Sequence, residues 1–257
     1  MGEYHWKTAV TKIEPNKVGL RGYPLDSLIG KVSFGRAVYL AIKGELPPEN
    51  VGTLMEAMLV SSIDHGATPP STLVARSVAS CGSALNAAVA AGVLTISKHH
   101  GGAIENCMRA LLEAEEKKKS GLSIDEAASQ LVEEYASKKR RIAGYGHRIH
   151  TEDPRTVRLL SLAGDLGIAG DFVALARAVA GAIETRSGKH LPLNVDGAIA
   201  TLLCELEFPP EIANGFFMMA RIPGLVAHIL EETTRERPMR VIHPRDHEYD
   251  GPGEREP

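Results

Sequence analysis

A chain of 257 residues suffices for one large domain or two modest ones, and 44% hydrophobic residues can build a packed core. A formal net charge of −3 and an aromatic content of only 5% argue against a nucleic-acid binder, which needs a basic surface and stacking rings. Three widely separated cysteines, Cys81, Cys107 and Cys204, argue against a disulfide framework or a cysteine zinc site, so buried free thiols are expected.

The N-terminal stretch carries two β-prone runs, 6–13 and 18–23, around Pro15-Asn16, which predicts a hairpin and the chain's only strand pair. Everything after it has the helix period. A helix over 33–43 stops at Gly44, with Pro47 and Pro48 beyond. Val51, Leu54, Met55, Met58 and Leu59 mark the next. The stretch 83–97 is small and apolar on all faces, which predicts a buried, closely packed helix too short to span a membrane. Ile104, Met108, Leu111 and Leu112 form a stripe that dissolves into the charge run 115–119, read as a solvated helix end. Ser123 and Glu126 have the spacing of a capping box. Asp153-Pro154 opens another helix, and Asp171 is expected to cap the one after. Pro209-Pro210 starts a further helix, and Ile222-Pro223-Gly224 is expected to break the last two apart. The tail after Arg237 reads as irregular. No N-terminal apolar run follows a basic segment, so no signal peptide is expected and a soluble cytoplasmic protein is.

Four polar places interrupt this apolar pattern: Asp64-His65-Gly66, His99-His100-Gly101-Gly102, Gly144-Tyr145-Gly146-His147, and Asn194-Val195-Asp196. Each has an ordinary reading. A histidine can end a helix, where imidazolium meets the negative dipole end, and Asp196 can be an N-cap. Together they place three histidines at glycine junctions and one acid in an apolar setting, which points to chemistry. No pair has metal-ligand spacing on one helix face, so no metal is expected. There is no Gly-x-Ser-x-Gly, no Walker loop and no Gly-x-Gly-x-x-Gly after a strand, which argues against serine hydrolysis and nucleotide chemistry of those kinds.

Arg21-Gly22-Tyr23, Gly44-Glu45-Leu46-Pro47, Asp64-His65-Gly66, His100-Gly101-Gly102-Ala103, Gly144-Tyr145-Gly146-His147-Arg148, Asp153-Pro154-Arg155, Asn194-Val195-Asp196 and Ala220-Arg221-Ile222-Pro223-Gly224, read in this order, resemble the citrate synthase superfamily from about Trp6 to Tyr249. The resemblance implies a mainly α, two-domain helical fold with a short N-terminal β-hairpin. Residues 1–102 and 207–257 would form a large domain and 103–206 a smaller inserted one. It implies an acid/base role for Asp196, an enol-binding role for His100 and a role at the keto or hydroxyl carbon for His147. His65, Arg155 and Arg221 would hold substrate. Gly144, Tyr145, Gly146 and Lys189 would approach coenzyme A, which is part of substrate and product rather than a resident cofactor. The residue types suit the chemistry, because a weakly acidic thioester α-proton needs a base together with stabilisation of the enolate oxygen.

The short chain, Asp64-His65-Gly66, Asn194-Val195-Asp196-Gly197 and the C-terminal His243-Pro244 look more like the citryl-CoA lyases, including the lyase module of ATP-citrate lyase, whereas Arg221-Ile222-Pro223-Gly224 is closer to the synthases. Cleavage of citryl-CoA to acetyl-CoA and oxaloacetate is therefore the expected reaction. Citrate or methylcitrate-type synthesis is the alternative, and an idle binder of CoA or a carboxylate is a third. With no ATP-grasp segment preceding, a separate synthetase would supply citryl-CoA. The resemblance also implies a homodimer or higher oligomer, with Arg240 or Arg245 of the tail reaching a partner's substrate.

Overall fold

The computed structural model describes residues 6–146 and 151–240, together with 248, 250, 251 and 253. It is mostly helical with one small antiparallel sheet. Strand β1 (Thr11–Glu14) pairs with β2 (Lys17–Leu20), and β2 pairs with the two-residue β3 (Tyr23–Pro24). The third strand was not expected. It is too short to show a period, and it follows the tight Arg21-Gly22 turn at positive φ. Asn16 takes the left-handed conformation (φ 59°) that the hairpin turn requires. The Arg21 guanidinium donates to the Ala41 carbonyl from Nε (3.0 Å) and Nη2 (2.8 Å), tying the sheet to a helix end.

The helices follow in order: α1 (Leu25–Leu28), α2 (Phe34–Lys43), α3 (Glu49–Ser61), α4 (Pro70–Ser80), α5 (Leu85–Leu94), α6 (Ala103–Lys119), α7 (Ile124–Ser137), α8 (Pro154–Asp165), α9 (Asp171–Ser187), α10 (Val195–Glu205) and α11 (Ala213–Arg235), with a 3-10 turn at Pro210–Ile212. Local chemistry sets most ends. Ser33 caps α2 and left-handed Gly44 (φ 90°) stops it. Ser123 and Glu126 form the expected capping box of α7. Asp153 caps α8, with Pro154 in the first turn.

Three expectations differ from the structure. Asp171 does not cap α9. Its cap is Gly170, and the Glu205 carboxylate of α10 accepts from the N–H groups of Gly170 (2.8 Å) and Val173 (2.9 Å). A carboxylate 35 residues away thus replaces the local one. Pro223 does not end a helix but lies inside α11. Proline costs a helix interior one backbone bond, yet buried side chains such as Phe216 before it and Leu225 after it hold both halves. Of the three free cysteines Cys81 is exposed, at the C-cap of α4, whereas Cys107 and Cys204 are buried as expected.

The chain divides into two compact units, Met1–Asp64 with Ile96–Arg221, and His65–Thr95 with Ile222–Pro257. The core of the first is built on α10, where every residue from Gly197 to Cys204 is buried, and which packs on α6, α8 and α9. The expected inserted segment 103–206 lies within this unit. The second unit contains α4, α5 and the later part of α11. There Gly92 brings α5 onto α4. A Cβ at that position would meet the Ser71 carbonyl at 2.9 Å and Ala75 Cβ at 3.1 Å. The expected close packing through small residues is found, but the expected burial of the whole helix is not. Leu85, Ala87, Ala90 and Leu94 are exposed. The helix α11 is long and apolar enough to cross a membrane by length and composition, but it supplies core residues to both units and carries two buried charges, Arg221 and Glu232.

Candidate active site

The first unit brings together an acid, two arginines and a glycine turn. Asp196 is the second residue of α10, not its cap. Asn194 is the cap, its Oδ1 accepting from Gly197 N–H at 3.0 Å. The Val195 N–H is taken by Asp153 Oδ2 at 3.2 Å. Two side chains therefore occupy first-turn donors that could otherwise stabilise a carboxylate. Asp196 is partly accessible, and burial pushes its pKa up to about 6. The charges of Arg155 and Arg221 pull it back, and the Asp153 charge adds to the rise.

Arg155 is held by Asp153 through a fork, Nε to Oδ1 at 3.0 Å and Nη2 to Oδ2 at 2.8 Å, with the Arg155 N–H on Oδ1 as well. Burial opposes ionisation of Asp153, but the Arg155 contacts outweigh it and hold the pKa below its usual value. Arg221 is 2% exposed. Its Nε donates to the Ser62 carbonyl (3.1 Å), its guanidinium lies 4.6 Å from the Phe217 ring centroid, and its Nη1 has no hydrogen-bond partner among the described residues. A buried guanidinium with an open donor is what a carboxylate ligand needs. Burial lowers its pKa, with Asp64 and Asp196 opposing.

His100 lies in a tight turn where Ser97 N–H donates to the His100 carbonyl (2.7 Å) and His100 N–H to the Ser97 carbonyl (3.0 Å). It therefore precedes α6 rather than ending α5, which removes the helix-end reading. Its ring meets Phe217 edge-on, centroids 5.8 Å apart. A Cβ at Gly101 (φ 74°) would strike Phe217 at 2.8 Å, so this turn requires glycine.

Gly144-Tyr145-Gly146 packs on the start of α10. A Cβ on Gly144 would meet Cys107 Sγ at 2.6 Å and Gly197 Cα at 2.8 Å. Burial pushes the Cys107 thiol well above its usual range and that of Cys204 up to about 12, so both stay protonated. The Gly146 N–H donates to the Pro192 carbonyl at 2.7 Å, so its hydrogen bond stays within the chain. The Tyr145 hydroxyl donates to the Ala176 carbonyl (3.1 Å). Beside this turn lies a cavity of about 560 Å³. Val132, Tyr135, Ile142 and Ile183 give it an apolar floor, and Arg140, Arg141, Arg186 and Lys189 a basic rim. The Arg140 guanidinium lies 4.7 Å from the Tyr135 centroid.

Arg140, Arg141 and Arg186 were not anticipated, nor were Asn194, Asp153 and Phe217 as parts of the site. The first two belong to a visible basic run, 138–141, whereas Arg186 reaches the rim only through the packing of α9 on α7. His65 and Arg240 belong to the second unit. His65 is exposed in the loop before α4. Arg240 places Nε (2.6 Å) and Nη2 (2.7 Å) on the buried Glu232. His147, Arg245 and His243 lie outside the described residues. Among those described, no three His, Cys, Asp or Glu residues group as a metal site would require.

The family model described as citrate synthase, C-terminal domain, matches residues 47–245. A citrate synthase of Heyndrickxia coagulans is 31% identical over 86% of this chain and 56% of its own length, and one of Haloferax volcanii is 32% identical over 79% and 52%. The chain thus spans about half the length of these curated relatives. The structure of a citryl-CoA lyase from Hydrogenobacter thermophilus is 47% identical, with a TM-score of 0.90, covering 98% of this chain and 96% of that one.

Proposed function

The chain belongs to the citrate synthase family of acyl-CoA enzymes, and from that membership we propose that it is a citryl-CoA lyase, cleaving citryl-CoA to acetyl-CoA and oxaloacetate. The observation that carries the reading is the pairing, within one unit, of Asp196 and its two flanking arginines with a basic-rimmed, apolar-floored cavity. Such a cavity suits the adenine and phosphates of coenzyme A, with Lys189, Arg186, Arg140 and Arg141 as phosphate partners. Arg155 and Arg221 suit the substrate carboxylates. The lyase direction is supported by the 47% identity and near-complete mutual coverage with the Hydrogenobacter thermophilus protein.

In this reading His147 takes the tertiary hydroxyl proton and the adjacent carbon–carbon bond breaks. The electron pair passes into the thioester enolate, whose oxygen His100 holds, and protonated Asp196 gives its proton to the terminal carbon. A proton leaves the hydroxyl and one arrives at carbon, so the step balances. A pKa of about 6 suits a group that must exist in both protonation states. The sequence likeness to curated citrate synthases favours a second reading, condensation of an acyl-CoA with oxaloacetate through the same groups.

The working molecule is read as a cytoplasmic homodimer or higher homo-oligomer, supplied with citryl-CoA by a separate synthetase. The exposed face of α5, a helix without a single ionisable residue, supports a second copy as partner, and three free cysteines suit a reducing compartment. One assay in two arms tests the reaction. With citryl-CoA, oxaloacetate should form without hydrolysis of the thioester. With acetyl-CoA and oxaloacetate, free thiol should not accumulate. Thiol release without cleavage would overturn the lyase in favour of the synthase.

A further inference from the structure

We propose that Asn194 is a positioning residue that locks the wall of the cavity beside Tyr145 and Gly146 to the helix end carrying Asp196. Three of its groups act at once. The Asn194 N–H donates to the Gly144 carbonyl at 2.9 Å, Nδ2 donates to the Gly146 carbonyl at 2.9 Å, and Oδ1 accepts from the Gly197 N–H at 3.0 Å. The amide orientation is set by its partners, because a carbonyl can only accept and a backbone N–H can only donate. The two segments are 48 residues apart in the chain. They meet backbone to backbone, since a Cβ on Gly144 would lie 2.8 Å from Gly197 Cα and one on Gly197 would collide with the Gly144 carbonyl. No side chain at either glycine can take up slack at this contact. Among the described residues, the Asn194 amide is the side chain that bonds to both segments.

The inference rests on the acyl-CoA reading for its kinetic consequence. If the cavity holds the nucleotide, the Asn194 latch sets the distance from the anchored half of the substrate to the Asp196 carboxylate. A misplacement of about 1 Å can cost roughly a hundredfold in rate while leaving the anchored half bound. A mere helix cap would have no such effect.

Asn194→Ser separates the two roles, because serine keeps an acceptor for the cap but lacks the Nδ2 donor. Asn194→Ala removes both. Positioning predicts that kcat for citryl-CoA cleavage falls about tenfold to a hundredfold in both variants, with KM within about threefold of wild type. The Tm should fall by roughly 2–4 °C in the alanine variant alone. A serine variant with wild-type kcat overturns the proposal. Amide hydrogen exchange decides the latch without reference to any reaction. Exchange over 144–146 should be roughly tenfold faster in Asn194→Ser, and unchanged exchange overturns the latch. A wild-type protein inactive with citryl-CoA and with acetyl-CoA plus oxaloacetate would remove the acyl-CoA reading instead, and the exchange result then decides the latch alone.

Discussion

Asp196 carries a conflict between stability and use. The folded state raises its pKa to about 6, chiefly by burial, against about 3.9 in an unfolded chain. Above pH 6 the fold therefore carries an ionised carboxylate it disfavours, and the penalty vanishes as the pH falls below both values. Asp196→Asn should abolish turnover yet raise unfolding stability at pH 7.5 by about 1–3 kcal/mol, the lower part of the range allowing for water that reaches the carboxylate. Denaturant unfolding at pH 7.5 and pH 4 checks this. A gain that persists undiminished at pH 4, or near-normal turnover, would contradict it. The same pKa signs the rate profile. Cleavage needs the acid form, so its kcat/KM should decline above about pH 6, and condensation needs the base, so its kcat/KM should decline below. Asp196 and His100 stood out in the sequence because each interrupts an apolar or glycine-rich pattern, whereas Arg155 and Arg221 entered only through the family resemblance. Asn194 and Asp153 did not stand out in the same way. Each is a good N-cap residue, and cap signals disclose a helix start without disclosing a second bond 42 or 48 residues away.

Among the elements, those whose ends are set by neighbouring residues were read correctly: α2 from Ser33 and Gly44, α7 from its capping box, α8 from Asp153-Pro154. The failures came where a distant group intervened. Glu205 caps α9 from another helix, and α11 runs through Pro223 because buried contacts outweigh one lost bond. The later part of α11 also carries Glu232, whose side chain has no exposed surface. Arg240 holds it from Nε and Nη2, and Arg76 adds a third contact at 2.6 Å. The Met239 N–H donates to the Ser80 carbonyl at 2.8 Å, so the start of the tail is seated on the end of α4. A substrate contact by Arg240 would compete with this pair. The Arg240 bonds, joined by Arg76, hold the Glu232 pKa below its usual value. The stabilisation is accordingly present above about pH 4.3 and lost as the pH falls through the lower folded value. Glu232→Ala should destabilise the protein by about 1–3 kcal/mol at pH 7, since Arg76 and the part-exposed Arg240 lose the buried carboxylate but keep Glu231 and Glu236 beside them. Urea unfolding measures it, and a loss below about 1 kcal/mol would rule the clamp out.

For the molecule as a whole, two compact units and an uncharged helix with an exposed face set the questions that remain for experiment. The proposed sharing of Arg240 or Arg245 between subunits predicts complementation. A chain ending at Met239 and an Asp196→Ala chain, each inactive, should regain cleavage activity when mixed and reassociated. No recovery at any ratio, with mixed dimers verified by mass, would exclude sharing. The amino-acid sequence by itself determined the family, the helical class and the identity of the interrupting polar residues, because motif order and hydrophobic period are properties of the linear chain. Only the tertiary structure decided which cations rim the cavity, which carboxylate caps α9, and how Asn194 ties a glycine turn to the acid-bearing helix. Those choices depend on distances between segments tens of residues apart, and a linear pattern carries no such distance.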